Sequence, residues 1–412
     1  MLLKIDVKRE LHPEIQRPED QKMQCAFCMH PVYTSNNGLS MLEVRNGNEM
    51  WRSEDNGATW ALRETMPKEE KLSDGTYAKW SFGPFFHDTK RDTLIQFLRQ
   101  ACYRCPPSEV TDYFIHEKMY IQHSPKTFYR ISNDDGLTWD KQRQLIEDGD
   151  EYDEQHYANG YYHGKDTLTI GEIPPYMTFD DGTLMLPYQG WCRAESEQFG
   201  TIQAGRLFGT WDDELKDYRW TSAGRMPGGG CEQTIARLQD GRLLNILRTQ
   251  GNIEPYYFDL WLRPYSLSED NGKTWSKPKP LCWDDGGGLT SPRSWSQLIR
   301  AENGRLYWIA NILPAIEEIK DIQEAWPYRA DPRFPVTIAE VDEKHLTLKR
   351  ETATTIIDRE PGDTKFVRFS NFFCYNDRET GKIVMYMMKS YCEYQPDLEN
   401  MPHPAWRFRI KV

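Results

Sequence analysis

Two residues of opposite charge bracket a clear hairpin signal in this chain. Glu232 and Arg248 stand sixteen residues apart, on either side of Asp240-Gly241. Asp-Gly between two β-rich runs marks a two-stranded hairpin, and a hairpin brings its first and last residues to the same end. A carboxylate and a guanidinium would then share one pocket. A glutamate there can serve as general base, and an arginine fork suits bidentate binding of a carboxylate. The same two residues can equally brace the hairpin as an ion pair. His87-Asp88, after the apolar Phe85-Phe86, has the make-up of an acid/base pair. Tyr161-Tyr162-His163, Arg193, Arg293 and Arg368 add further polar candidates. An imidazole, a tyrosine and an arginine that neutralises a uronate would suit β-elimination. Taken singly, each of these residues also fits a surface or packing role.

The elements that must position these groups show themselves by repetition. Ser-x-Asp-x-Gly-x-Thr-Trp occurs three times, as Ser53 to Trp60, Ser132 to Trp139 and Ser268 to Trp275. In such a stretch the Ser and Asp oxygens bond turn N–H groups, Gly accepts positive φ, and Thr-Trp starts a strand. A second repeat runs through the whole chain. Six hairpin turns, at Asn37-Gly38, Lys90-Arg91-Asp92, Asp181-Gly182, Asp240-Gly241, Asn303-Gly304 and Thr380-Gly381, each lead into an apolar return strand. Their spacing fits four-stranded propeller blades in one domain spanning 1–412. Alternating strands at Leu3–Val7 and Trp406–Val412 are expected to pair and close the ring. The insertions at 61–80, 102–127, 145–168 and 312–333 read as loops, with a short helix at 312–326.

The threefold motif resembles the Asp box, or bacterial neuraminidase repeat, of the sialidase-like β-propellers. That resemblance implies an all-β, six-bladed β-propeller in which Asp55, Asp134 and Asp270 shape turns between the outer strands of a blade, away from the active site. The segment from Gly230 to Arg248 resembles the sialidase pattern Glu-Pro-Thr-x-x-x-Leu-x-Asp-Gly-x-Leu-Leu-x-x-x-Arg. This implies that Glu232 is the activating glutamate and Arg248 a ligand of the substrate carboxylate. Arg333, before Phe-Pro-Val-Thr-Ile, is similar to the third arginine of the family's triad, with Arg329 nearby. The chain also departs from the pattern. Met29, beside His30, stands where the first arginine belongs. Phe369, in Phe-Ser-Asn-Phe, stands where the nucleophilic tyrosine belongs, and the blade-one insertion with the acid aspartate is missing. The expectation is therefore a sialidase-like exo-glycosidase on an acidic sugar with a non-standard, inverting route. Glu232, His87 and Asp88 are the catalytic candidates, and Arg248, Arg333, His30, Arg293, Arg368 and Phe369 the substrate contacts. A lyase on uronate-containing glycans and a non-catalytic sugar-binding propeller are the alternatives.

Composition narrows the partners. The 412 residues carry 51 basic and 63 acidic side chains, a net charge of -12, which argues against nucleic acid or an anionic membrane as partner. An acidic oligosaccharide in a locally basic pocket remains the expected partner. The charged start of the chain has no signal-peptide core, so a cytoplasmic location is expected. Nine cysteines, an odd number, fit reduced thiols. The pairs Cys25/Cys28 and Cys102/Cys105 raise a zinc reading, but buried free thiols are the simpler one, and no metal or cofactor is expected. The 14 tryptophans suit blade packing.

Overall fold

The computed structural model describes residues 5–11, 30–67, 69–103, 105–106, 126–158, 169–170, 176–192, 201–227, 230–248, 261–313, 332–364, 366–391 and 403–412. Contacts divide the chain into two compact units, His30–Met226 and Met1–Met29 with Pro227–Val412. Each unit holds three antiparallel sheets. Apart from the single 3-10 turn Arg350–Thr352, the described residues form strands and turns.

The N-terminal strand is β1 (Asp6–Leu11). Blade one contains β2 (Val32–Tyr33), β3 (Met41–Arg45), β4 (Glu49–Ser53) and β5 (Ala61–Thr65). Blade two contains β6 (Glu69–Lys71), β7 (Tyr77–Asp88), β8 (Thr93–Tyr103), β9 (Lys126–Ser132) and β10 (Arg143–Gln144). Blade three contains β11 (Thr169–Ile170), β12 (Met177–Thr178), β13 (Leu184–Cys192), β14 (Thr201–Asp212) and β15 (Asp217–Arg225). In the other unit, blade four contains β16 (Cys231–Arg237), β17 (Leu243–Arg248), β18 (Pro264–Ser268) and β19 (Lys279–Pro280). Blade five contains β20 (Ser296–Arg300), β21 (Leu306–Asn311), β22 (Val336–Asp342), β23 (Thr347–Leu348) and β24 (Thr354–Ile357). Blade six contains β25 (Val367–Asn376), β26 (Ile383–Tyr391) and β27 (Ala405–Lys411), and β1 pairs with β27 from Asp6↔Lys411 to Leu11↔Trp406.

All six expected hairpins are present, each joining the first two full strands of its sheet. The N-terminal strand pairs as expected but lies at Asp6–Leu11 rather than Leu3–Val7. The stretch 61–80, expected as a loop, instead supplies β5, β6 and the start of β7. Residues 314–331, with most of the expected helix, lie outside the described residues.

The three repeats connect β4 to β5, β9 to β10 and β18 to β19. Their chemistry is local and identical. In the third, Asp270 Oδ1 accepts the Ser268 hydroxyl and the Thr274 N–H, both at 2.8 Å, and Oδ2 accepts the Thr274 hydroxyl at 2.6 Å. Ser268 Oγ accepts the Gly272 N–H at 2.8 Å, and Trp275 donates to the Gly272 carbonyl at 3.0 Å. Asn271 and Gly272 are both left-handed, at φ 57° and 84°, which explains why Asn or Asp precedes Gly. In the second copy the Thr138 hydroxyl and N–H, with the Ser132 hydroxyl, bring the Asp134 carboxyl down to about 2. A carboxyl held below its unfolded value adds stability that is present above pH ~4 and lost as pH falls toward ~2. Replacing Asp270 with Ala should therefore lower stability by ~1–2 kcal/mol through lost turn hydrogen bonds. Urea unfolding at neutral pH measures the loss, and turnover should remain.

Side chains pin blades four, five and six together near the starts of their inner strands. Thr234 Oγ1 accepts the Leu298 N–H at 2.8 Å. The Gln297 amide exchanges two 2.8 Å bonds with the Cys374 backbone. Buried Asn311 donates to the carbonyls of Pro335 and Phe369, at 3.2 and 3.1 Å. Below these staples, Leu244, Ile246, Leu298, Trp308, Ala339 and Val341 pack in one apolar cluster across blades four and five.

Candidate functional site

Glu232 owes its position to a fault in the ladder. Cys231 pairs with Arg248 and Thr234 with Ile246, so the register shifts and Glu232-Gln233 form a β-bulge at the start of β16. Glu232 sits there at φ 46°, a left-handed conformation costly for a residue that is neither Gly nor Asn. The inner strands β7 and β25 carry bulges as well, between Phe82/Phe85 and Ser370/Phe373. In β7 the bulge falls on Gly83-Pro84, and in β25 on Asn371 at φ 56°. Those residues tolerate a bulge. Glutamate does not, and strain of this kind marks sites where a side chain is kept for its chemistry. Gly230, at φ 92°, lets the hairpin close, because a Cβ there would come 2.7 Å from the Arg248 carbonyl.

Arg248 Nη1 is hydrogen-bonded and ion-paired to Glu232 Oε1. Glu232 Oε2 is buried and has no hydrogen-bond partner among the described residues. The two side chains are 18% and 22% exposed, so the pair is neither sealed in the core nor freely solvated. The other end of the same sheet holds the Asp box, since Leu243 pairs with Ser268. Within blade four, then, the charged pair and the box lie at opposite ends.

Three more arginines gather at the strand starts of blades five and six. Arg333, just before β22, bridges Arg368 of β25 in parallel fashion, and the Phe369 N–H donates to the Arg333 carbonyl at 2.9 Å. Arg333 Nη2 reaches the Arg293 carbonyl at 3.5 Å. The loop carrying Arg293 is held from below by Arg263, fully buried, which donates to Ser291 Oγ at 2.9 Å and to the carbonyls of Pro292 and Ser294, each at 2.6 Å. Arg263 escaped the sequence reading because no motif marks it. Its one signal is an arginine at the edge of an apolar strand.

Two expectations are corrected. His87 and Asp88 were placed at the pocket end of their blade, but they close β7 beside its hairpin, where Asp88 pairs with Thr93 and the Asp-box residue Ser132 pairs with Leu94. His87 Nε2 lies 2.7 Å from Asp92. Asp88, 0% exposed, accepts from Arg91 at 2.9 Å, the Tyr218 hydroxyl at 2.7 Å and the Lys90 N–H at 3.0 Å. It is a cross-blade anchor within its unit. Phe369 was taken as a substrate contact, but it is 0% exposed and packs on Trp406 with ring centres 6.3 Å apart. It is part of the wall behind the arginines.

His30 lies just before β2, at the end of blade one away from its Asp box. Asp55, Asp134 and Asp270 occupy the turns assigned to them. Met29, Tyr161, Tyr162, His163, Arg193, Arg329, Cys25 and Cys28 lie outside the described residues. Cys102 and Cys105 are free thiols, and burial pushes the Cys102 thiol up, as in an inert side chain. No group of three metal-ligating side chains occurs among the described residues, and no described helix is long and apolar enough to cross a membrane.

Six antiparallel sheets with Asp-box turns define a sialidase-like six-bladed β-propeller, and solved structures share it. A Dyadobacter fermentans protein of unknown function aligns with TM-score 0.59 at 13% identity, over 98% of this chain and 99% of its own. The intramolecular trans-sialidase of Ruminococcus gnavus, solved with oseltamivir carboxylate, aligns with TM-score 0.53 at 12% identity, over 94% and 95%. An α-L-arabinofuranosidase of Fusarium graminearum, solved with arabinobiose, aligns with TM-score 0.51 at 13% identity, over 97% and 96%. Among curated proteins none matches the chain in sequence. The model of the BNR repeat-like domain matches residues 103–356, and the chain belongs to that family.

Proposed function

We propose that the chain is a glycoside hydrolase acting on a carboxylate-bearing sugar, with Glu232 as general base and Arg248 and Arg333 holding the sugar carboxylate. The observation that carries this reading is the state of Glu232. It is kept on a bulge in a strained backbone, with one oxygen on Arg248 and the other without a partner among the described residues. An oxygen so placed can take a proton from a water that attacks the anomeric carbon. That route inverts the anomeric centre and needs no tyrosine at Phe369. The arginines at the same strand starts supply positive charge for a carboxylate. The related folds solved with oseltamivir carboxylate and arabinobiose support a carbohydrate ligand.

The test is turnover of 4-nitrophenyl and methyl glycosides of sialic acid and glucuronic acid, with products followed by NMR. Hydrolysis with inversion is expected. An unsaturated uronate would indicate elimination instead, and retention would contradict the role given to Glu232. Changing Arg333 to Lys should weaken binding of the acidic sugars roughly tenfold or more, because a charge-assisted bond is lost with the fork. Calorimetry should show neutral sugars unaffected.

A further inference from the structure

Blade six carries a group of reactive side chains that the function just described does not use. Lys389 of β26 stands directly across the ladder from Phe369. Its ammonium is ion-paired and hydrogen-bonded to Asp363, with both side chains buried. The Lys389 Nζ lies 6.0 Å from the centre of the Tyr391 ring and hydrogen-bonds the Tyr391 hydroxyl. The same ring meets His403 edge-on, with centres 5.7 Å apart. His403 Nδ1 lies 3.2 Å from the Lys389 carbonyl. A carbonyl only accepts, so Nδ1 donates and Nε2 is left to exchange a proton.

The group belongs to the same end of the blade as the arginines, because Tyr391 pairs with Val367 and Ser390 with Arg368. Side chains alternate along a strand, so Tyr391, Lys389 and Phe369 share one face. The hydroxyl that Phe369 does not carry is thus present one strand over and two residues along. A buried lysine–aspartate pair adds little net stability over apolar side chains of the same size, so packing alone gives no reason for this choice. Burial pushes the Tyr391 phenol up, with Lys389 working against it. At neutral pH the hydroxyl therefore keeps its proton, while the nearby ammonium favours the phenolate once the proton has left.

We propose that Tyr391, presented by Lys389 and Asp363, is the general acid that protonates the leaving group. This rests on the hydrolase reading above, which leaves the acid unassigned. As the glycosidic C–O bond breaks, its electron pair passes to the leaving oxygen, which takes the phenolic proton. The water oxygen bonds to the anomeric carbon and gives its proton to Glu232. The phenolate stays against the Lys389 ammonium until it regains a proton from solvent through His403. Glu232 returns its own proton to solvent, so one glycoside and one water give one sugar and one alcohol.

The experiment compares leaving groups. A 4-nitrophenolate leaves with little help, whereas methanol needs the proton. Replacing Tyr391 with Phe keeps the ring and its contact with His403. It should cut kcat on the methyl glycoside about a hundredfold or more and on the 4-nitrophenyl glycoside less than about fivefold. A structural role would lower both alike. His403→Gln, at a half-buried side chain, is a second arm and should show the same selectivity with a smaller loss. Equal losses on the two glycosides, or none on either while Glu232→Gln is inactive, would overturn the assignment of Tyr391 and leave the hydrolase reading standing. No turnover of any of these glycosides by the unaltered protein would overturn the reading, and the assignment with it.

Discussion

Changing Glu232 to Gln should lower kcat on an acidic glycoside by roughly a hundred- to ten-thousandfold, the usual contribution of a general base. Glutamine keeps the length of the side chain and an oxygen for Arg248, and it inherits the same left-handed backbone. Sugar binding should therefore change little, and the loss should appear in kcat and not in KM. If Glu232 only braces its hairpin against Arg248, the outcome reverses. The melting temperature would then fall as the ion pair weakens, and turnover would be spared. Steady-state kinetics beside a thermal melt separates the two.

The second large effect is on stability. Replacing Asp88 with Ala should cost about 3–5 kcal/mol, the range for breaking a buried ion pair. The substitution removes the acceptor for Arg91, the Tyr218 hydroxyl and the Lys90 N–H at once. It leaves the buried Tyr218 hydroxyl without its acceptor, and the ring cannot turn away because it packs beside Trp220 and Trp211. Chemical denaturation measures this. Protein that remains folded should turn over substrate at the normal rate. A folded, stable but inactive variant would restore Asp88 as an acid/base residue.

What could be read from the sequence was whatever a few consecutive residues decide. The three Asp boxes were legible because their bonds close within eight residues. The six hairpins were legible because Asn-Gly and Asp-Gly demand a turn. The pairing of Glu232 with Arg248 followed from the same logic, since the two ends of one hairpin must meet.

The failures came from register and from long-range pairing. His87-Asp88 was assigned to the wrong end because β7 begins at Tyr77, well before the apolar run that drew attention, and so reaches its hairpin at Asp88. Phe369 was matched by motif, but a strand's face is set by counting in twos, and the bulge between Ser370 and Phe373 resets the count. The left-handed backbone of Glu232 has no sequence signal, since glutamate is not a residue that turns select. The Tyr391–His403 contact joins residues on either side of a stretch with no shared motif. Only the pairing of β26 with β27 brings them together.

The most direct measurement is a crystal structure of the Glu232→Gln protein with the methyl glycoside of an acidic sugar that the unaltered protein hydrolyses. The anomeric carbon should lie over the start of β16, within ~3–4 Å of the residue 232 amide or of one water bound to it. The sugar carboxylate should meet the guanidinium groups of Arg248 and Arg333. A sugar bound at the Asp-box end of any blade, or one whose carboxylate avoids those arginines, would contradict Glu232 and its neighbours as the active site.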